Sequence, residues 1–191
     1  MAVPTVRAMC LRRSGKNGSR SLELLLAQQP VGGEESYCSP GGDLEGKDLL
    51  AFIIEKTQVE TGYRPRKDAA LTPREFTVSE KAKFGIDSDH PTIYVPFVQT
   101  FYEHNPEDVF PEDDDVTSAS WIPTNRLPLR GGTMLAYKDI RYLWEIFSNS
   151  RYRKAFNRRQ IRSAEIDTIL LQLSDALSQR DAALAQQRAL A

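Results

Sequence analysis

Cysteine is scarce in this sequence, with Cys10 and Cys38 the only two among 191 residues. Their separation fits neither the close pairs of a zinc knuckle nor the even, dense spacing of a disulfide framework, so reduced thiols in a cytosol-like compartment are expected. Histidine is equally scarce, and His90 and His104 stand without a serine or cysteine arrangement that would support nucleophilic chemistry. Both read as exposed loop residues. No apolar run approaches the ~20 residues of a membrane-spanning helix, and the first residues lack the hydrophobic centre of a signal peptide. An excess of one charge is missing too. Lys+Arg number 25 against 26 Asp+Glu, a formal net charge of -1, so no global field draws the chain to nucleic acid or to an anionic membrane. Arg7, Arg12, Arg13 and Arg20, with few acids nearby, have the composition of an organelle transit peptide. Residues 6–11 nevertheless read as a strand, and a removable peptide should not carry core structure. The expected location is intracellular, cytoplasmic or mitochondrial, without membrane association.

What is present begins with a hairpin. Residues 5–11 are rich in apolar and β-forming types, residues 14–19 carry turn chemistry, and residues 21–27 form the partner strand. A short extended piece follows at residues 37–39, and Pro40-Gly41-Gly42 makes a tight turn where a side chain would obstruct the backbone. Between Asp48 and Thr61 there is no glycine or proline. Asp48 is placed to cap the start of a helix and Gly62 to stop it. On a helical wheel Leu49, Leu50, Phe52, Ile53, Ile54, Thr57 and Val59 cover most of the circumference, leaving Ala51, Glu55 and Gln58 as the wet side. This helix is expected to pack on more than one face. Residues 74–78 and 92–102 read as strands separated by a polar loop, the second so continuously apolar that it should be central. An acidic stretch at 107–115, a short strand at 118–122 and a turn-rich segment at 123–132 lead to a helix at 137–147, beside which Trp121 is expected to be at least partly buried.

The order of these pieces resembles the Nudix hydrolase family over roughly residues 5 to 148. The residues that carry the resemblance are Pro40-Gly41-Gly42, the Glu60-Thr61-Gly62 that closes the helix, and Ser120-Trp121-Ile122-Pro123. The implied fold is an α/β/α sandwich with a mixed sheet, here with a C-terminal helical extension. The family signature is G-x5-E-x7-R-E-U-x-E-E-x-G-U, where U is a bulky apolar residue and the glutamates bind the divalent metals that assist diphosphate hydrolysis. Aligned backwards from Gly62, the Arg-Glu pair becomes Glu55-Lys56, the apolar position becomes Thr57, and the two consecutive glutamates become Val59-Glu60. Counting forward from Gly42, one loop residue is missing, which puts Lys47 or Asp48 where the earlier glutamate belongs. One of three helix carboxylates survives. A hard divalent ion needs several oxygen ligands, so no metal site is expected, and Lys56 and Glu60 form an i, i+4 pair in its place. Asp48 and Glu55 share a face, but it is the wet one. Glu112 to Asp115 read as a solvated acidic loop.

Beyond Ser148 the composition changes, and no glycine or proline remains. Arg151, Arg153, Lys154, Arg158, Arg159 and Arg162 are interleaved with Tyr152 and Phe156, a pattern that suits phosphate contact with ring stacking or, equally, a solvated helix face. Ile166, Leu170, Leu173, Leu177 and Leu184 follow a four-three spacing interrupted by Arg180, typical of a helix lying on another helix. The chain thus divides into a domain at 1–150 and a basic, amphipathic extension at 151–191, whose seam of Ile166, Leu170, Leu173 and Leu177 is expected to meet a different protein. The expected function is a non-catalytic Nudix-like binding or scaffold subunit. It would hold a nucleotide, RNA or protein partner without a cofactor, with Gly41, Gly42, Lys56 and Glu60 at the ligand site. The alternative is a divergent pyrophosphohydrolase of nucleoside-diphosphate-linked compounds that uses Mg2+ or Mn2+.

Overall fold

The computed structural model describes residues 3–14, 21–31, 34–99, 102–104, 116, 118–127 and 134–190. The hairpin tip at 15–20, the acidic stretch with Glu112 to Asp115, and most of the turn-rich segment at 128–133 lie outside the described residues. The hairpin strands are β1 (Thr5–Ser14) and β2 (Ser21–Val31), paired antiparallel with Leu11 opposite Leu24. β3 (Glu34–Cys38) continues against the far half of β2, and β4 (Gly41–Asp43) returns to the start of β1, placing Gly42 opposite Val6. After α1 (Leu49–Thr61) come the two-residue β5 (Tyr63–Arg64), β6 (Arg74–Phe76), the short α2 (Val78–Lys83) and β7 (Thr92–Val98).

β7 runs parallel to β1 along its whole length, from Thr5 opposite Thr92 to Leu11 opposite Val98. The expectation of a central strand holds: β1 lies on one side of it and β6 on the other. Pro96 lies inside β7 beyond the residues that β6 pairs with, and on that side its carbonyl accepts the Leu71 N–H at 2.7 Å. The remaining strands are β8 (Glu103–His104), paired with β5, then β9 (Ser118–Pro123), antiparallel to β2, and β10 (Met134–Leu135), parallel to β3. The sheet is therefore mixed.

Period-two alternation sends side chains to two separate cores. Met9 and Leu11 of β1, Leu24 and Leu26 of β2, and Tyr94 and Val98 of β7 face the C-terminal helices α3 (Tyr137–Ser148), α4 (Ser150–Arg158) and α5 (Ser163–Leu190). Ala8, Cys10, Leu25, Val95 and Phe97 face α1, with its buried Phe52, Ile53 and Ile54. The molecule is an α/β/α sandwich.

α1 forms as its caps dictate. Asp48 Oδ1 accepts the Ala51 N–H at 2.9 Å, and Gly62, at φ 71°, donates its own N–H to Gln58 O at 2.7 Å. Ala51 and Glu55 are exposed and Gln58 is half-buried, as the wheel requires. Two elements depart from the sequence reading. Val78 does not end a strand but starts α2, because Thr77 and Glu80 form a capping box, a signal present in the sequence as Thr-x-x-Glu. Trp121 is half-buried on the α1 face rather than beside α3, since it stands opposite Leu25 while its neighbour Ile122 points to the C-terminal helices. There it packs against Tyr63, Tyr102 and the Arg12 guanidinium, the last 4.1 Å from the ring centre.

The larger correction concerns the C-terminal seam. Ile166, Ile169 and Leu173 are fully buried and Leu177 nearly so, all within the core formed with α3, and Leu170 is partly covered by the same core. A different protein is not needed to cover the stripe. Trp144 Nε1–H donates to Ser174 Oγ at 2.8 Å, and Arg13 at the end of β1 grips Glu165 through two contacts of 2.8 and 2.7 Å. The boundary at residue 150 consequently does not separate two cores. Among the described residues, no helix is long and apolar enough to cross a membrane.

Candidate functional site

Two buried carboxylates from opposite layers of the sandwich converge on one turn. Ser39-Pro40-Gly41 links β3 to β4, and proline supplies no N–H, so the turn has two backbone donors to satisfy. Glu60 Oε2 on α1 accepts the Gly41 N–H at 2.9 Å, and Asp139 Oδ1 on α3 accepts the Ser39 N–H at 3.1 Å. Arg7 on β1 completes the arrangement by donating Nη1–H to Ser39 O at 2.9 Å. Glycine is obligatory at position 41, because a Cβ there would lie 2.0 Å from Val6 O. At Gly42 the equivalent atom would press on Lys56 Cε at 3.3 Å. Gly41 thus lets the turn lie against β1, while Gly42 leaves room for the Lys56 side chain.

On the α1 side, Lys56 Nζ lies 3.4 Å from Glu60 Oε1. Glu60 is only 4% exposed, so this is not the solvated surface pair that i, i+4 spacing usually produces. Burial raises the Glu60 pKa above the ordinary glutamate range, opposed by the Gly41 N–H and by the charges of Lys56 and Arg7. Val59 offers no oxygen, and among the described residues no group of three or more His, Cys, Asp or Glu converges as a metal cage would require. Asp48 and Glu55 are both exposed on the wet side. Among the described residues, Glu60 is the carboxylate on this face of α1, and it already serves a backbone donor and an ammonium group.

On the α3 side the turn borders a cleft of about 180 Å³ walled by Thr5, Arg7, Lys81, His90, Asp139 and Tyr142. Asp139 is 1% exposed, and its Oδ1 also accepts the Tyr94 hydroxyl at 2.5 Å. Burial first, and then the Asp139 charge, push the Tyr94 pKa far up, which keeps its hydroxyl a donor. Asp139 Oδ2, by contrast, is buried and has no protein partner. Lys81 is 2% exposed and donates to Ser88 Oγ, His90 O and Thr92 Oγ1 at 2.6, 2.8 and 3.0 Å, all neutral oxygens. Burial and then the nearby Lys138 charge lower its pKa. This lysine staples residues 84–91 into the cleft wall. His90 is half-buried rather than loop-exposed, bonded to Thr5 Oγ1 at 2.9 Å and Asp89 Oδ1 at 2.8 Å.

Sequence reasoning placed Gly41, Gly42, Lys56 and Glu60 together, and the fold does bring them together. It missed Arg7, Asp139 and Lys81, which lie 32 or more residues from the turn in sequence. The one available signal was Asp139 itself, an acid inside an otherwise apolar helical stripe. The basic run is divided. Arg153 pairs with Asp167 at 2.6 Å and Arg162 approaches Glu165 at 3.4 Å, whereas Arg151, Lys154, Arg158 and Arg159 face solvent.

No family model matches this chain, and no curated protein does. Solved structures do resemble it. A MutT/nudix family protein from Enterococcus faecalis is 17% identical with a TM-score of 0.46, over 63% of this chain and 43% of that one. A NUDIX hydrolase from Nitrosomonas europaea is 18% identical with a TM-score of 0.46, over 66% of this chain and 76% of that one. A UDP-X diphosphatase is 16% identical with a TM-score of 0.47, over 92% of this chain and 64% of that one. The chain spans less than half of the first of these. Likenesses of this size leave function to the chemistry of the site.

Proposed function

We propose that this chain is a Nudix-like domain that binds rather than hydrolyses, taking a nucleotide-like ligand at the turn between Glu60 and Asp139. The observation that carries the reading is the Lys56–Glu60 pair: a cation sits 3.4 Å from the one helix carboxylate that matches the family signature, and that carboxylate is spent on the Gly41 N–H. Hydrolysis of a diphosphate assisted by a metal needs the ion beside the phosphates to lower the pKa of attacking water. Lys56 supplies charge there without supplying a Lewis acid.

The cleft on the other side of the turn supports the binding half of the proposal. A buried carboxylate oxygen without a partner, Asp139 Oδ2, lies in a wall that also contains Arg7. A ligand edge that offers N–H donors to the carboxylate and an oxygen to the guanidinium would satisfy both, as a nucleobase or a carboxamide does. The domain would then serve as a ligand-sensing or scaffold subunit.

Calorimetric titration with magnesium and manganese, followed by phosphate-release assays on capped, sugar-linked and triphosphate nucleotides, tests this reading. The expected result is no tight metal binding and no turnover. Restoring acids with Lys56→Glu and Val59→Glu together should introduce measurable metal affinity. Micromolar magnesium affinity in the parent that Glu60→Gln abolishes, or turnover of about 1 per second or faster, would overturn the proposal in favour of the divergent hydrolase.

A further inference from the structure

At the far end of β1 from the turn, arginines from three distant parts of the sequence meet. A cleft of about 680 Å³ is lined by Arg12 and Arg13 of β1, Arg66 after β5, and Arg158 and Arg159 at the end of α4, with Gln99 and Gln160 between them. Two acids, Asp68 and Glu103, share the lining. Arg12 is committed to Glu23 at 2.9 Å and Arg13 to Glu165 at 2.7 Å, so these two shape the wall more than they offer free charge. The others are available. Arg66 and Asp68 form a pair in which both side chains are about two-thirds exposed, at 65% and 68%, and such pairs contribute little and exchange readily. Arg159 donates only to the neutral Asp68 carbonyl, at 2.9 Å, and Arg158 is exposed.

The charge also continues out of the cleft. Arg151, Lys154 and Arg158 stand at i, i+3 and i+7 on α4, one exposed face of the helix, and the Arg151 guanidinium donates to the neutral Thr72 Oγ1. At 1.5 Å per residue this stripe is about 10 Å long and ends at the cleft mouth. A single phosphate needs a pocket, whereas a line of outward cations leading into a groove suits a polymer of regularly spaced negative charges. The opposite face of α4 is neutralised by α5, through Arg153 and Asp167.

We infer that the α4 stripe and this cleft form a second site that holds the sugar–phosphate backbone of a single-stranded nucleic acid. The site is separate from the turn between Glu60 and Asp139 and does not depend on the reading given to that turn. It accounts for four of the six basic residues of the 151–162 run and recruits Arg66, which nothing in the sequence associates with them.

The test is fluorescence anisotropy of the full chain with a labelled twelve-residue oligouridylate, which cannot pair with itself. Three or four phosphate contacts at about 0.7 per contact give a log–log salt slope of roughly -2 to -3, a 20- to 50-fold loss of affinity between 50 and 200 mM KCl. Lys154→Glu with Arg158→Glu should weaken binding at least tenfold and flatten the slope, with the thermal midpoint unchanged. The same charge change placed elsewhere, Lys83→Glu with Arg126→Glu, should leave affinity within twofold. Millimolar uridine monophosphate should not displace the oligomer. Absence of binding at 50 mM KCl, equal losses in the two double variants, or displacement by the mononucleotide would each overturn the inference.

Discussion

Removing residues 163–191 should unfold this protein. The deletion takes away Ile166, Ile169 and Leu173, each fully buried, together with Leu177. Truncating one buried leucine or isoleucine to alanine costs about 2 to 5 kcal/mol, while a whole domain is stable by only about 5 to 15. Four such losses, with α3 left facing water, exceed what the sheet and α1 can compensate. Circular dichroism and one-dimensional NMR of the 1–162 fragment should show an unfolded or molten chain, and Leu173→Ala alone should lower stability by about 2 to 5 kcal/mol in urea unfolding. A fragment that unfolds cooperatively with less than about 2 kcal/mol lost would return the helix to the role of a docking tail.

The latch that starts α5 adds a pH dependence to the same region. Burial tends to raise the Glu165 pKa, but hydrogen bonds from Arg13 and from the Arg162 backbone outweigh it, and the net shift is downward. A carboxyl group held lower in the folded state than in the unfolded state contributes stability above its unfolded value, near pH 4.3. That contribution is lost as the pH falls through the folded value. The difference in stability between the parent and Glu165→Gln should therefore be present at neutral pH and vanish in acid, and a difference independent of pH would show that the ion pair is not the cause.

Asp139→Ala should strongly destabilise the fold around the candidate site. It strips partners from the Ser39 N–H and the buried Tyr94 hydroxyl, and it leaves the Arg7 guanidinium without the acid that favours its charge. Removing one member of a buried charge network costs about 3 to 5 kcal/mol. Asp139→Asn keeps an acceptor for Tyr94 and should cost much less, about 1 to 2 kcal/mol. Equilibrium unfolding of both variants separates these cases: equal losses would mean that the negative charge matters more than the hydrogen bonds, and no loss in the alanine variant would remove Asp139 from the network. If nucleotide binding is detected in the parent, Asp139→Asn should weaken it, because the amide presents a donor where Oδ2 presents an acceptor.

Local chemistry determined a good part of this molecule without any tertiary information. The limits of α1 follow from Asp48, from an uninterrupted run of helix formers and from Gly62. The hairpin follows from alternation on either side of a turn, and the steric demand at Gly41 follows from a turn that must lie against a strand. The Lys56–Glu60 pairing follows from i, i+4 geometry alone. Each of these rests on residues within a few positions of one another, where backbone geometry fixes who meets whom. What the fold decided is who covers a face once it exists. The spacing of Ile166, Leu170, Leu173 and Leu177 specifies an apolar stripe but carries no address, and α3 of the same chain covers it. The layer that Trp121 joins is not legible locally, because a strand's two faces become distinct only when the register of β9 against β2 is known. Burial likewise turned an i, i+4 pair from a surface ornament into the support of a backbone turn. The convergence of Arg7, Lys81 and Asp139, and that of Arg66 with the end of α4, needed chain crossings of tens of residues, and no local periodicity encodes such distances.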